Sequence, residues 1–230
     1  MKKPRIAVIG YGQFGRFMAK NLRPYGTIVP INENTEPKAI AHCDVVIFAV
    51  PFDSLPIAIS SFKNSIKQTA LILDVTSVKQ KPLALLKKAF PKNEILGTHP
   101  IFGPQSGKHG IKGLSIVLCN VSFTSKHYTA IRKFLKNELE LKVIEQTPKQ
   151  HDTEMARVQA LTHLIGRSIA ELDIKSYATN TKSYEQLLEL KELLKNDSWE
   201  LFETIQNANP EAKIIRKEFI RTIKNIETKL

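Results

Sequence analysis

Three groups of residues have the types and spacing to do chemistry. The first is the glycine loop Gly10-Tyr11-Gly12-Gln13-Phe14-Gly15, which follows the apolar run Ile6-Ala7-Val8-Ile9 and opens a helix-like segment. In that setting Gly10 makes a tight turn, Gly12 lets backbone approach a pyrophosphate and Gly15 lets helix pack closely on strand. The helix N-terminus adds amide donors and a partial positive charge. Without the setting the pattern is only a glycine-rich turn; with it, the loop predicts dinucleotide binding. The second group is His99 in the Pro/Gly-rich stretch 98–107, THPIFGPQSG, read as a stiff loop. An imidazole titrates near neutral pH and can take the proton that a hydroxyl loses when hydride departs. A lone histidine is more often structural. Ser77, in Asp74-Val75-Thr76-Ser77-Val78-Lys79, is placed to orient it. The third group is Gln159, His163 and Arg167, four residues apart on one helical stripe. Such a stripe is either a solvated face or a set of donors for an anionic substrate.

The expected second strand ends in Ile31-Asn32-Glu33-Asn34-Thr35-Glu36. An acidic side chain there accepts the ribose 2′-hydroxyl, whereas a 2′-phosphate calls for Arg or Lys. Asn32 and Glu33 are therefore cofactor candidates that favour NAD over NADP, although Lys38 lies close enough in sequence to oppose Glu33. Ala49-Val50-Pro51 leaves the most apolar strand and offers a resting place for ribose or nicotinamide. His42, His109, His127 and His151 have no setting comparable to that of His99, and no cluster has metal-ligand spacing.

These residues need elements to hold them. Residues 5–150 alternate short apolar runs with helical segments: strands at Ile6–Ile9, Thr27–Ile31, Asp44–Val50, Leu71–Val75, Ile95–Gly97 and Ser115–Leu118, helices at Gln13–Leu22 and Pro82–Phe90. The alternation predicts an α/β fold, a Rossmann-like doubly wound parallel sheet covered on both faces. After Pro148 the character is all-helical. Met155, Val158, Leu161, Ile165, Ile169 and Leu172 recur at three- and four-residue steps, which predicts one long amphipathic helix. Further helices are expected over Tyr184–Leu194, Trp199–Ala208 and Ala212–Ile226. The expected organisation is a dinucleotide-binding domain over 1–148 and a helical substrate and dimerisation domain over 149–230, the latter with a thin core of its own.

Composition narrows the class. With 230 residues, 42% hydrophobic and 24% charged, the chain can bury a sizeable core. The net charge of +12 is scattered along the sequence rather than set in a basic, aromatic-bearing motif. It reads as a lysine-rich surface that attracts small polyanions, not as a nucleic-acid binder. No apolar run approaches the length of a membrane span. Met1-Lys2-Lys3 before Ile6–Ile9 imitates a leader peptide, but the apolar stretch is short and runs into the glycine loop and Arg16. Cys43 and Cys119 sit in strand-like contexts, which fits a reducing cytoplasm.

Taken together the motifs resemble the prephenate/arogenate dehydrogenase family of tyrosine biosynthesis, and in particular its short plant-type members. The resemblance spans nearly the whole chain: Gly10–Arg16 (GYGQFGR), Asp74–Lys79 (DVTSVK), Thr98–Lys108 (THPIFGPQSGK), His151-Asp152, Gln159–Arg167 (QALTHLIGR), Asn180–Leu188 (NTKSYEQLL) and Asp197–Phe202 (DSWELF). It implies an NAD(P)-dependent oxidative decarboxylation of arogenate or prephenate. His99 would accept the hydroxyl proton, supported by Ser77; His163 would contact substrate, with Gln159, Arg167 and Lys182 as donors to its carboxylates. The thin core of the helical region predicts packing on the first domain or on a second copy of the chain, a homodimer. Plant-type relatives carry Ser-Arg-Ser where this chain has Asn32-Glu33-Asn34, a charge reversal that again favours NAD. Many prephenate-specific bacterial members place an arginine where this chain has Leu193. Asp197 matches the acidic position of arogenate-preferring members and leans the substrate towards arogenate, with dual use open. Two alternatives remain. A β-hydroxyacid or imine dehydrogenase would use a lysine on the long helix, yet none lies between Gln150 and Leu172. A dinucleotide sensor or nucleic-acid-binding protein without chemistry would have no need of the His99 loop.

Overall fold

The computed structural model describes residues 3–230. Met1 and Lys2, the start of the leader-like stretch, lie outside them. The chain divides into two compact units, the first running to His151 and the second spanning Asp152–Leu230.

The first unit is a seven-stranded sheet in the order β2-β1-β3-β4-β5-β6-β7. Its strands are β1 (Arg5–Ile9), β2 (Thr27–Ile31), β3 (Val45–Phe48), β4 (Leu71–Asp74), β5 (Ile95–Pro100), β6 (Ser115–Asn120) and β7 (Lys142–Glu145). The helices between them are α1 (Gln13–Leu22), α2 (Leu55–Phe62), α3 (Gln80–Ala89) and α4 (Ser125–Asn137). Alternation of side chains along each strand splits the core. Ala7, Ile9, Val46, Phe48 and Ile95 pack with Leu55, Ile59 and Phe62 of α2 and Leu83 and Leu86 of α3. On the other face Ile6, Val8 and Ile47 meet Phe14, Met18 and Leu22 of α1, while Leu96, Ile116 and Leu118 meet Ile131 and Leu135 of α4. This is the Rossmann-like, doubly wound architecture that the alternating pattern predicts.

The far edge departs from the all-parallel expectation. β6 runs antiparallel to β5, and β7 pairs parallel with β6. The segment between β5 and β6 is a run of turns with no crossover helix, so β6 must return in the opposite sense. β7, short and largely exposed, carries too weak an alternation to be recognised in the sequence. β5 is also longer than expected, so His99 belongs to a strand and not to a loop, paired opposite Val117.

The helix α5 (Pro148–Met155) carries the chain from one unit into the next. In the second unit it continues as a π-helical turn over Ala156–Leu161 and then as α6 (Thr162–Glu171). There follow α7 (Lys182–Leu194), α8 (Trp199–Glu203), a second π-helical turn over Thr204–Ala208, and α9 (Ala212–Glu227). The π-turn corrects the reading of one amphipathic helix. It widens one turn, and the expected stripe holds only in part: Met155 and Ile169 are buried as expected. Val158 and Leu172, expected inside, are 62% and 73% exposed, while Ala156, Ala160, His163 and Gly166 are buried. Gln206 Nε2 donates to the Ala160 carbonyl (2.6 Å), and Arg216 Nη1 donates to the Gln206 carbonyl (3.2 Å) and Oε1 (3.0 Å). This chain ties the two π-turns together and satisfies backbone that regular helix would have paired.

Candidate active site

Strand register sets the site. Ile31, Ile9, Phe48, Asp74 and Gly97 lie in one row across β2, β1, β3, β4 and β5. All five strands are parallel, so whatever follows this row emerges at one edge, the carboxyl edge where open α/β sheets hold ligands. Gly10, Asn32 and Glu33, Ala49 to Pro51, Thr76 and Ser77, and His99 are all one to three residues past it.

The glycine loop has the properties its role requires. Gly10 adopts φ +93°, and a Cβ there would lie 2.5 Å from the Ala49 carbonyl oxygen. A Cβ on Gly15 would lie 2.0 Å from the Gly10 carbonyl oxygen, so α1 can approach β1 only without one. Gly12, by contrast, has nothing within 4 Å of such a Cβ, and it caps α1 without a side chain. The space beside Gly12 at the start of α1 is thus open, leaving room for a pyrophosphate to approach the backbone there. Arg16 Nη1 donates to the Tyr11 carbonyl (3.1 Å) and steadies the loop. Tyr11 and Phe14 pack with Val8 and Ile47, while Gln13 is exposed. At the end of β2 the Asn32 and Thr35 side chains close a turn: Thr35 Oγ1 accepts from Asn32 N–H (2.9 Å) and donates to Asn32 Oδ1 (3.0 Å). Glu33 is exposed on that turn. Lys38, the residue able to oppose it, is paired with Glu36 at 2.5 Å.

His99 is 5% exposed, and its hydrogen bond is to His151: Nδ1 lies 2.9 Å from His151 Nε2, with the rings edge-on at 5.1 Å. Burial first, then His151 and the charge of Lys79, hold the His99 imidazole well below its ordinary value. It is therefore neutral at pH 7, the state a proton acceptor needs. Lys79 is wholly buried, bonded to the Asp74 carboxylate and to the Thr98 carbonyl (2.7 Å). Thr76 Oγ1 also bonds Asp74 Oδ1 (2.9 Å), and Thr98 Oγ1 donates to the Asp74 carbonyl (2.9 Å). This network locks the turn after β4, with half-buried Ser77 on it, to the end of β5. No hydrogen bond joins Ser77 to His99 among the described residues.

Sequence reasoning passed over His151 and the Asp74–Lys79 lock. His151 lies 52 residues from His99, and no local spacing announces the pair; its presence in the shared His151-Asp152 pair was the one available signal.

In the second unit His163, Arg167 and Asp197 come together. His163 Nδ1 is 3.8 Å from Asp197 Oδ2, and Arg167 Nη2 donates to the Asp197 carbonyl. Arg167 also stacks 5.9 Å from the centre of Trp199 and 5.8 Å from that of Phe202, geometry that suits a cation over an aromatic face. Burial pushes the Asp197 carboxyl up against the pull of His163 and Arg167, and pushes the His163 imidazole down against that of Asp197. Gln159 sits on the first π-turn with its Oε1 buried and without a hydrogen bond. Lys182 is exposed at the start of α7, and among the described residues no hydrogen bond or ion pair joins it to the other three. Leu193 is exposed as well.

Comparison with known proteins gives two family models that match this chain. One, described as prephenate dehydrogenase, nucleotide-binding domain, covers residues 20–144; the other, TYRAAT1-like, C-terminal domain, covers residues 168–230. Arogenate dehydrogenase 2, chloroplastic, of Arabidopsis thaliana is 34% identical over 90% of this chain and 64% of its own length. Arogenate dehydrogenase 1, chloroplastic, of the same plant is 28% identical over 98% of this chain and 39% of its own. The chain thus spans less than two thirds of either plant relative. A crystal structure of prephenate dehydrogenase from A. aeolicus, in complex with hydroxyphenyl propionate and NAD+, superposes with a TM-score of 0.77 at 16% identity, covering 99% of this chain and 91% of that one.

Proposed function

This chain belongs to the prephenate dehydrogenase family, and on that premise we propose that it carries out the oxidative decarboxylation of arogenate or prephenate in tyrosine biosynthesis, with NAD as the preferred cofactor. The observation that carries the reading is His99: buried, neutral and at the carboxyl edge of the sheet that also presents the glycine loop. Bound at that edge, the nicotinamide would supply the acceptor for the hydride that leaves the hydroxyl-bearing ring carbon. His99 takes the hydroxyl proton as the carbonyl forms, and loss of the ring carboxylate as carbon dioxide makes the ring aromatic and the step effectively irreversible. Gly10 to Gly15 hold the pyrophosphate through backbone amides. Ala49, Val50 and Pro51 line the neighbouring strand end. Ser77 serves as a support for the site through the turn locked by Asp74 and Lys79.

Substrate recognition falls to the second unit. Arg167 and His163 offer positive or donor groups to carboxylates, with Gln159 beside them and Lys182 as an outer donor. Asp197, held at His163, is the carboxylate suited to an ammonium group, which supports arogenate over prephenate. A free Glu33 and a paired Lys38 support NAD over NADP. A homodimer would cover Ile220, Ile223 and Ile226, exposed at three-residue spacing along α9. Both cysteines are buried and neither is in a disulfide, in keeping with a reducing compartment such as the cytoplasm, and no helix among the described residues is long and apolar enough to cross a membrane.

The test follows formation of reduced nicotinamide with each substrate against each cofactor. Fastest turnover with arogenate and NAD supports the reading in full. Preference for NADP overturns the role of Glu33, negligible arogenate turnover beside fast prephenate turnover overturns that of Asp197, and no turnover with either substrate overturns the activity.

A further inference from the structure

His151 is wholly buried on α5 with Nε2 in hydrogen-bond contact with His99 Nδ1. At this distance the two facing imidazole nitrogens share one hydrogen, since one must present an N–H and the other a lone pair. The two arrangements differ at the far side of His99. If His99 carries its hydrogen on Nδ1 and donates it to His151, Nε2 of His99 is a lone pair and can take a proton. If His151 donates instead, His99 Nε2 bears a hydrogen and can only give one. Only the first arrangement makes His99 a base.

We propose that His151 is a positioning residue that fixes His99 in the Nδ1–H tautomer, leaving Nε2 as the nitrogen that receives the substrate's proton. The inference rests on the reading of His99 as proton acceptor. An imidazole suits the site better than a carboxylate. His151 has no exposed surface, and a carboxylate in its place would carry a desolvated charge through every stage of turnover. The groups that bear on His99 are His151 on α5 and Lys79 at the start of α3, and Lys79 is paired with Asp74 at the end of β4. The proton balance is simple. The O–H bond of the substrate breaks, an Nε2–H bond forms, and the resulting imidazolium donates its Nδ1–H to the His151 lone pair. A hydrogen bond from a charged donor is roughly twice as strong as a neutral one, so the contact tightens as the proton arrives.

The experiment is nitrogen-15 imidazole spectroscopy on the full chain without cofactor or substrate, joined to kinetics of the same proteins. The wild type should show His99 protonated at Nδ1 and bare at Nε2. In His151→Phe that preference should disappear and kcat should fall by about a hundredfold, within the usual span of general-base losses, with KM nearly unchanged. In His151→Gln the side-chain oxygen stands near the former Nε2 and still accepts from Nδ1, so the tautomer should persist and kcat stay within about tenfold of wild type. A bare Nδ1 in the wild type overturns the proposal. So does a Phe variant that keeps both tautomer and kcat, or a Gln variant that loses as much as Phe. Should the wild type turn over neither substrate, the proposed activity fails, while the tautomer measurement still decides what His151 does to His99.

Discussion

The two units stabilise themselves by different means. In the first, strands such as Ala7–Ile9 and Val46–Phe48 bury side chains on both faces, under α2 and α3 on one side and α1 and α4 on the other. In the second, the buried apolar cluster is Ala160, Ile205 and Ala212 with Leu201 against it, while Ile214, Ile220, Ile223 and Ile226 lie exposed on α9. Polar contacts do there what apolar volume does in the sheet: Gln206 and Arg216 tie the π-turns, and Asn209 Nδ2 donates to the Asp152 carbonyl at 2.8 Å. The contrast suits the division of chemistry. A cofactor and a base need fixed geometry, and a thick core supplies it. Under the proposed function the helix that meets substrate needs its side chains aimed, and a π-turn changes where they point.

The contrast can be broken in several places, the largest effect first. His99→Asn should lower kcat by about 10²- to 10⁴-fold while leaving NAD affinity and unfolding temperature close to wild type, checked by steady-state kinetics and calorimetry. Phe48→Ala should cost the first unit about 3–5 kcal/mol in denaturant titration, and Ile205→Ala about 2 kcal/mol in the second, where fewer apolar neighbours are lost. Equal losses would remove the distinction between a thick and a thin core. Acid should weaken the first unit through His99. Its folded value lies well below the unfolded one near 6.5, so the unfolded chain binds the proton more readily. The contribution is complete above pH 6.5 and declines as pH falls from there towards the folded value, by at most about 1.4 kcal/mol per pH unit. His99→Gln should flatten that slope. Ile223→Ser should change the stability of a single folded chain by less than about 0.5 kcal/mol, and the proposed homodimer predicts a shift to monomer in sedimentation. An unchanged sedimentation profile would remove α9 from the dimer interface.

Legibility in the sequence followed the same divide. Strand and helix in the first unit come from short-range signals: the glycine loop and the alternation of short apolar runs with helical segments. They placed α1 and β2 at the bounds the structure shows, because buried strands and tight turns are dictated by neighbours in sequence. What the chain settles at long range stayed hidden. The reversal of β6, the extension of β5 through His99 and the contact of His99 with His151 depend on how distant segments return. In the second unit a 3.6-residue period was read through a stretch whose geometry departs from it, so Val158 and Leu172 were assigned to the wrong face. His163 and Arg167 do meet, but at Asp197, a residue 30 positions past Arg167 that their own spacing could not name.

The most direct test counts products. Arogenate and NAD incubated with the protein should yield carbon dioxide and reduced nicotinamide one for one, with both lost together in His99→Asn. Reduced nicotinamide without carbon dioxide, or undiminished turnover in His99→Asn, would contradict a decarboxylating dehydrogenase built on this histidine.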